Sequence, residues 1–263
     1  MPGSFPAPLG GARPLPNGRV VPMTEELFRD DATLLECRAR VLAVDALGVR
    51  LERTVFYPQG GGQAGDAGVL LLADGREVAI ADTRKGEAAG EIVHLLADSA
   101  DAALVRAGME LTARVDEARR RAHMRFHTAT HLLCALVPHA VNGCSITAGY
   151  ARLDFHMSEP LDKQVLSDGI ARLVAEAHPV RHRWISEAEL DANPQLVRSM
   201  SVQPPRGQGR VRVLEIEGVD LQPCGGTHVA NTAEIGAVVV TKVEKKSAMT
   251  RRVILGFAES AAG

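Results

Sequence analysis

Between residues 115 and 138 the sequence VDEARRRAHMRFHTATHLLCALVP reads as one long helix. Asp116 and Glu117 sit where a helix N-terminus favours acidic side chains, and Pro138 is a natural stop. Leu132, Leu133, Leu136 and Val137 give its second half an apolar face. The chain before it carries a different period, with short apolar-polar alternations broken by turn signals. One long helix following a run of short strands points to an α+β chain. Aromatic residues make up only 3%, so its core has to be built from Val, Leu, Ile and Ala.

Runs at 34–44, 48–56, 68–72, 77–80, 91–96 and 109–115 read as strands, the third and fourth joined by an Asp74-Gly75 turn signal. Strands this short and regular suggest a small β-barrel or twisted sheet. After the long helix, residues 151–156 alternate, placing Asp154 and His156 on one face and Leu153 and Phe155 on the other. Ser158 is expected to cap a helix reaching about residue 177, packed through Leu161, Val165, Leu166, Ile170, Leu173 and Val174. Further strands are expected at 180–185, 211–216, 235–243 and 252–257. The expected organisation is a disordered, Pro- and Gly-rich lead-in over 1–22, a β-rich domain over 23–113 with a Gly-rich loop, and a second domain over 114–263. Met23 offers an alternative start.

Thirty Lys and Arg against 32 Asp and Glu leave a net charge of −2, which gives no global case for nucleic acid. A local one exists: Arg119, Arg120, Arg121 and Arg125 precede the apolar half of the long helix, and Arg120 and Arg121 are candidate phosphate contacts. The basic stretch 244–252 is either a charged hairpin tip or a second such contact. Cysteines 37, 134, 144 and 224 are scattered without a disulfide framework. With no secretory signal and no apolar run of about 18 residues, a cytoplasmic protein with no membrane partner is expected.

The chemistry concentrates in two short motifs. His127 and His131 lie at i and i+4, so a helix stacks their imidazoles on one face. His123 extends the ladder, but its arginine-rich neighbourhood is expected to be wet and to repel a dication, which favours the pair 127/131. Cys224-Gly-Gly-Thr-His228 is a turn able to aim a thiolate and an imidazole at one point. Together the pairs offer three imidazoles and one thiolate, a set that suits Zn2+ and is poor for Mg2+ or Ca2+. Cys134, one turn beyond His131, is a rival ligand ranked below Cys224. Phe56-Tyr-Pro-Gln-Gly-Gly-Gly-Gln63 is either a loose turn or a loop whose backbone approaches something closely, with Gly60, Gly61, Gly62 and Gln63 as candidate contacts.

These three motifs, in this order, resemble the alanyl-tRNA editing (AlaX) proteins, free-standing relatives of the editing domain of alanyl-tRNA synthetase, over about residues 23–257. The resemblance implies a zinc-containing α/β editing domain of the threonyl/alanyl-tRNA synthetase second-additional-domain type. It implies one Zn2+ held by His127, His131, Cys224 and His228, and a glycine loop over Gly60 to Gln63 near the editing pocket. It implies hydrolysis of tRNA(Ala) wrongly charged with serine or glycine. The chain departs from the family pattern at Cys134, at Cys144-Ser145, at His156 and in the glycine-free turn 245–250, none of which touches the implied ligands.

Discrimination of serine from alanine requires a partner for one hydroxyl, for which the zinc itself, Ser145 and Thr147 are candidates and Thr130 a weaker one. No Asp or Glu stands out as a general base, and Thr128 stands where H-E-x-x-H zinc proteases carry theirs. Two other classes remain open: a non-catalytic tRNA-binding module with a structural zinc, and a zinc hydrolase of small esters or amides.

Overall fold

The alternating pattern of residues 36–115 closes into a barrel. In the computed structural model of the chain, which describes residues 23–200, 203–204, 206–207 and 209–258 together with 13–14 and 20–21, six strands form it. They are β1 (Glu36–Asp45), β2 (Gly48–Leu51), β3 (Gly68–Leu71), β4 (Glu77–Lys85), β5 (Ile92–Leu96) and β6 (Glu110–Val115), in the spatial order β6-β1-β2-β5-β4-β3. Antiparallel pairing of β6 with β3, Thr112 opposite Leu71 and Val115 opposite Gly68, completes the ring. The expected strand 48–56 breaks after Leu51, and Arg53–Thr54 pairs in parallel with Glu25–Glu26 instead. Inward residues of each strand, among them Val41, Val49, Leu51, Leu70, Val78, Ile80 and Leu111, fill the interior with aliphatic side chains, as the scarcity of aromatics requires. The lead-in expected over residues 1–22 lies outside the described residues, apart from an antiparallel pairing of Arg13–Pro14 with Val20–Val21.

By its internal contacts the chain divides into two units, Met1–Pro58 with Gly65–Asp116 and Gln59–Ala64 with Glu117–Gly263. The Gly-rich loop thus packs with the second unit, although the sequence places it among the barrel strands. In that unit α1 (Glu117–Leu136) precedes β7 (Val141–Ile146), β8 (Ala151–His156), α2 (Lys163–Ala175), β9 (Val180–Ser186) and α3 (Glu187–Ala192). Strands β10 (Arg210–Ile216), β11 (Asp220–Pro223), β12 (Val238–Ser247) and β13 (Thr250–Phe257) follow. A four-stranded sheet runs β7-β8-β13-β12 and a three-stranded one β9-β10-β11. Leu153 opposite Val253 and Ala151 opposite Leu255 form the buried side of the larger sheet, against which α1 and α2 pack.

Two expectations for α2 need correction. It starts after Asp162, whose carboxylate accepts from the amides of Gln164 and Val165, rather than at Ser158, because Pro160 intervenes and Asp162 satisfies the first free amides. Its inward stripe is Leu166, Ile170 and Leu173, which leaves Val165, one position off that stripe, 67% exposed. No helix among the described residues is long and apolar enough to cross a membrane.

The barrel contains a buried histidine. His94 is fully buried, its Nδ1 donating to the Val49 carbonyl at 3.0 Å and its Nε2 accepting from the Thr54 hydroxyl at 2.8 Å. The neutral ring satisfies both nitrogens, and burial lowers its pKa to about 4 from an ordinary 6.5. The unfolded chain therefore binds a proton at higher pH than the folded one. Its contribution, on the order of 3 kcal/mol, is complete above pH 6.5 and is lost as the pH falls toward 4. Unfolding free energy measured in urea at pH 7 and pH 4.5 should fall more for the wild type than for His94→Gln. An identical pH dependence in the two proteins would show that His94 does not set the acid limb.

Candidate metal centre

Helix α1 carries His127 and His131 one turn apart, ring centroids 5.6 Å from each other. The loop leaving β11 carries Cys224 and His228 to the same point. The Cys224 Sγ lies 3.4 Å from Nε2 of His127 and 3.1 Å from Nε2 of His228. One donor atom from each of the four residues falls within 4.8 Å of the others, so the cluster could hold one metal ion. The three histidines are 5–7% exposed.

The far side of each ring explains why these atoms converge. His127 Nδ1 is 2.7 Å from the Gln63 side-chain oxygen, and His131 Nδ1 is 2.8 Å from the Asp220 carboxylate. His228 Nδ1 lies 3.2 Å from the Thr128 hydroxyl, which itself donates to the Met124 carbonyl and so can only accept from the ring. With Nδ1 turned to a protein acceptor in every case, Nε2 is the atom each ring can offer to a metal. The loop needs its glycine: a Cβ on Gly226 would stand 2.2 Å from Cε1 of His127. Arg212 on β10 clamps the same loop by donating to the carbonyls of Cys224 and Gly226 at 3.0 and 3.1 Å.

Electrostatics favour the thiolate. Burial by itself would push the Cys224 thiol up, but the imidazoles of His127, His228 and His131 outweigh it and hold the group well below the ordinary thiol range. For His131, burial opposes protonation, yet the hydrogen bond to Asp220 and the neighbouring Cys224 raise it to about 10 in the metal-free chain. His228 is pushed well below its usual value by burial and then by His127. Cys134 and Cys144, by contrast, are both pushed up to about 12 by burial, so they remain neutral thiols. Cys134 is not among the four converging donors.

The other sequence-predicted residues divide sharply. Gly60 and Gln63 bond each other's backbones, and Gly61 and Gly62 take φ values of 59° and 87°. The Ile146 amide donates to the Gly62 carbonyl at 2.7 Å, and a Cβ on Gly62 would meet Cys144 Sγ at 2.8 Å. The loop's backbone is therefore held close against β7.

Arg120 is not a surface residue. It is fully buried, because it shares the inward face of α1 with Met124, His127 and His131, whereas Arg121 points out and is exposed. His123 is equally buried, so the wet surroundings expected for it are absent. Arg125 donates to the Ile235 carbonyl at 2.7 Å and covers the Phe257 ring at 4.1 Å. Thr147 uses its hydroxyl to close the 147–150 turn, bonded to Tyr150 and Gly149. Thr130 donates to the His127 carbonyl at 2.7 Å. Ser145 stays half-buried on β7. Asp154 is held by Arg252 at 2.7 and 2.8 Å, and His156 is exposed outside the cluster. In the 244–252 stretch Arg251 donates to the Ser247 and Thr250 carbonyls and Lys245 and Lys246 remain exposed. Asp220 went unnoticed in the sequence. Its one signal is a carboxylate four residues before Cys224.

Two family models match the chain: tRNA synthetases class II (A) over residues 27–119, and the threonyl and alanyl tRNA synthetase second additional domain over residues 211–254. The barrel and the His/Cys unit thus define a protein built from modules of the alanyl-tRNA synthetase kind. Full-length relatives narrow this. The alanyl-tRNA editing protein AlaX-M of Saccharolobus solfataricus is 32% identical over 88% of this chain and 98% of its own length, and that of Methanosarcina barkeri is 34% identical with the same coverage. The alanine–tRNA ligase of Pyrococcus abyssi is 34% identical over 92% of this chain, which spans only 26% of that enzyme. The chain belongs to the AlaX family of alanyl-tRNA editing proteins.

The clash at Gly226 yields a direct test. Gly226→Ala should displace the His127 ring and reduce the metal content of purified protein, read by elemental analysis, while the far-ultraviolet circular dichroism stays native. Unchanged metal content would mean that the loop tolerates a Cβ and that its geometry is not set by this contact.

Proposed function

We propose that the chain is a trans-acting, zinc-dependent deacylase of tRNA(Ala) mischarged with serine, and with glycine, working in the cytoplasm. The observation that carries the reading is the convergence of three imidazole Nε2 atoms and one thiolate, each ring locked from behind through Nδ1. That donor set fits Zn2+ at His127, His131, Cys224 and His228. Membership of a family whose relatives are named alanyl-tRNA editing proteins supports the substrate class.

A zinc ion held there supplies Lewis-acid polarisation of an ester carbonyl. The chain's own residues orient and select. Asp220 accepts the Nδ1 proton of His131 and Gln63 that of His127, which keeps both rings fixed while a substrate is held. The Gly60–Gln63 backbone offers a close approach for the aminoacyl end, and Ser145 on β7 offers a hydroxyl for the serine side chain. Arg121, exposed on α1, offers a charge to the phosphates. A site that bonds the seryl hydroxyl leaves its own polar group unpaired when alanine binds, so the correct ester is spared. Glycine enters by size.

One observation favours a second reading. Four protein donors can close a tetrahedral site, as in structural zinc centres. A chain that binds tRNA(Ala) yet leaves Ser-tRNA(Ala) intact would establish that alternative.

Single-turnover deacylation of Ser-, Gly- and Ala-tRNA(Ala), with and without chelator, tests the proposal. Seryl and glycyl esters should be released, and chelation or Cys224→Ala should slow release by about 100-fold or more. Full activity in metal-free protein would remove the metal from the reaction. Ser145→Ala should narrow the seryl-to-alanyl rate ratio by about tenfold, and a wild-type ratio in that variant would place selectivity elsewhere. Arg121→Ala should weaken tRNA binding and reduce the slope of log affinity against log salt by about one. A slope that does not move makes Arg121 an ordinary surface charge.

A further inference from the structure

Gln63 stands apart from the rest of its loop. Three glycines precede it, yet its own side chain is fully buried. Every polar atom of that side chain is used. The amide oxygen receives both His127 Nδ1–H at 2.7 Å and the Thr227 backbone amide at 3.2 Å, and the amide nitrogen donates to the Thr227 hydroxyl at 2.9 Å. One residue therefore joins both ligand-bearing elements, the α1 helix through His127 and the Cys224–His228 turn through Thr227. Its backbone is equally constrained. Gly62 and Ala64 on either side bond Ile146 at the end of β7, at 2.7 and 2.9 Å. Gly226 opposite has no room for a Cβ, which would stand 2.8 Å from the Gln63 oxygen.

We infer that Gln63 is a positioning residue that ties the glycine loop to the metal centre, so that metal occupancy and the order of Gln59–Ala64 are thermodynamically linked. The inference rests on the metal reading above. A lone pair free on His127 Nε2 requires the proton on Nδ1, and the Gln63 oxygen is what accepts it. Metal bound at Nε2 in turn fixes the ring that Gln63 leans on. Linkage of this kind is reciprocal: if the loop strengthens metal binding, the metal steadies the loop to the same degree. The loop would then present its backbone to a substrate only when the centre is loaded.

The substitutions that test this are Gln63→Leu, which removes the acceptor at similar size, and Gln63→Glu, which keeps it. Zinc affinity is read by competition with a chromophoric chelator, and backbone order by hydrogen exchange of the peptide covering residues 59–64, with and without Zn2+. In the wild type, zinc should slow exchange in that peptide. Gln63→Leu should bind zinc 10- to 100-fold more weakly, the usual effect of losing a partner behind a ligand, and zinc should no longer slow exchange there. Gln63→Glu, whose carboxylate still accepts from the ring, should stay within about threefold of wild type. Wild-type affinity in Gln63→Leu overturns the inference, and so does an equal loss in both variants, which would reduce Gln63 to packing. Zinc-independent exchange of 59–64 in the wild type overturns it without any variant. A wild-type chain that takes up no zinc overturns the metal reading itself, and this inference with it.

Discussion

A half-buried thiolate set among three buried imidazoles is the constraint around which the second unit is arranged. An isolated buried charge costs far more than a domain's net stability, so the group has to be neutralised or matched where it stands. Cys224 is matched by three imidazoles, one of them raised to about 10 by its contact with Asp220. That requirement reaches outward in a recognisable order. The helix supplies two rings at one-turn spacing, the β11 loop supplies the thiol and the third ring, and Gly226 lets loop and helix meet. Arg212 pins the loop's carbonyls, and Gln63 braces it from the other side.

Burial of a histidine is not by itself a sign of a site, and this chain holds both cases. His94 in the barrel spends both nitrogens on Val49 and Thr54, so nothing is left over for a ligand. His127, His131 and His228 are buried almost as deeply, yet each spends Nδ1 alone on the protein, and the three Nε2 atoms face one another and a sulfur. Three rings with the same atom held back, aimed at one point, are what a metal centre needs and what a core does not.

Much of this was legible from local spacing. The barrel strands follow from period-two alternation, α1 from its helical pattern and terminal residues, and the ligand pairs from i, i+4 on a helix and Cys-x-x-x-His in a turn. These are properties of a few neighbouring residues. What spacing could not show was which side of a charged run faces inward. Arg120 reads like Arg121 in the sequence, but a 100° step round the helix takes it into the core. Nor could it show strand β7, whose Asn142 and Gly143 are poor strand formers, held extended by pairing with β8. Thr147 offered a hydroxyl in the sequence, and only the turn it closes reveals that the hydroxyl is engaged.

The partners behind the rings were the least legible of all, for a physical reason. They act across sequence separations of 64 residues for Gln63 and His127, 89 for His131 and Asp220, and 100 for Thr128 and His228. A ligand motif says which side chains can reach a point. It does not say which ring nitrogen carries the proton, and a ring protonated on Nε2 is no ligand there at all. That choice is made by an amide oxygen, a carboxylate and a hydroxyl arriving from elsewhere in the unit. The motif is written locally, but the long-range fold decides the tautomer and with it the chemistry.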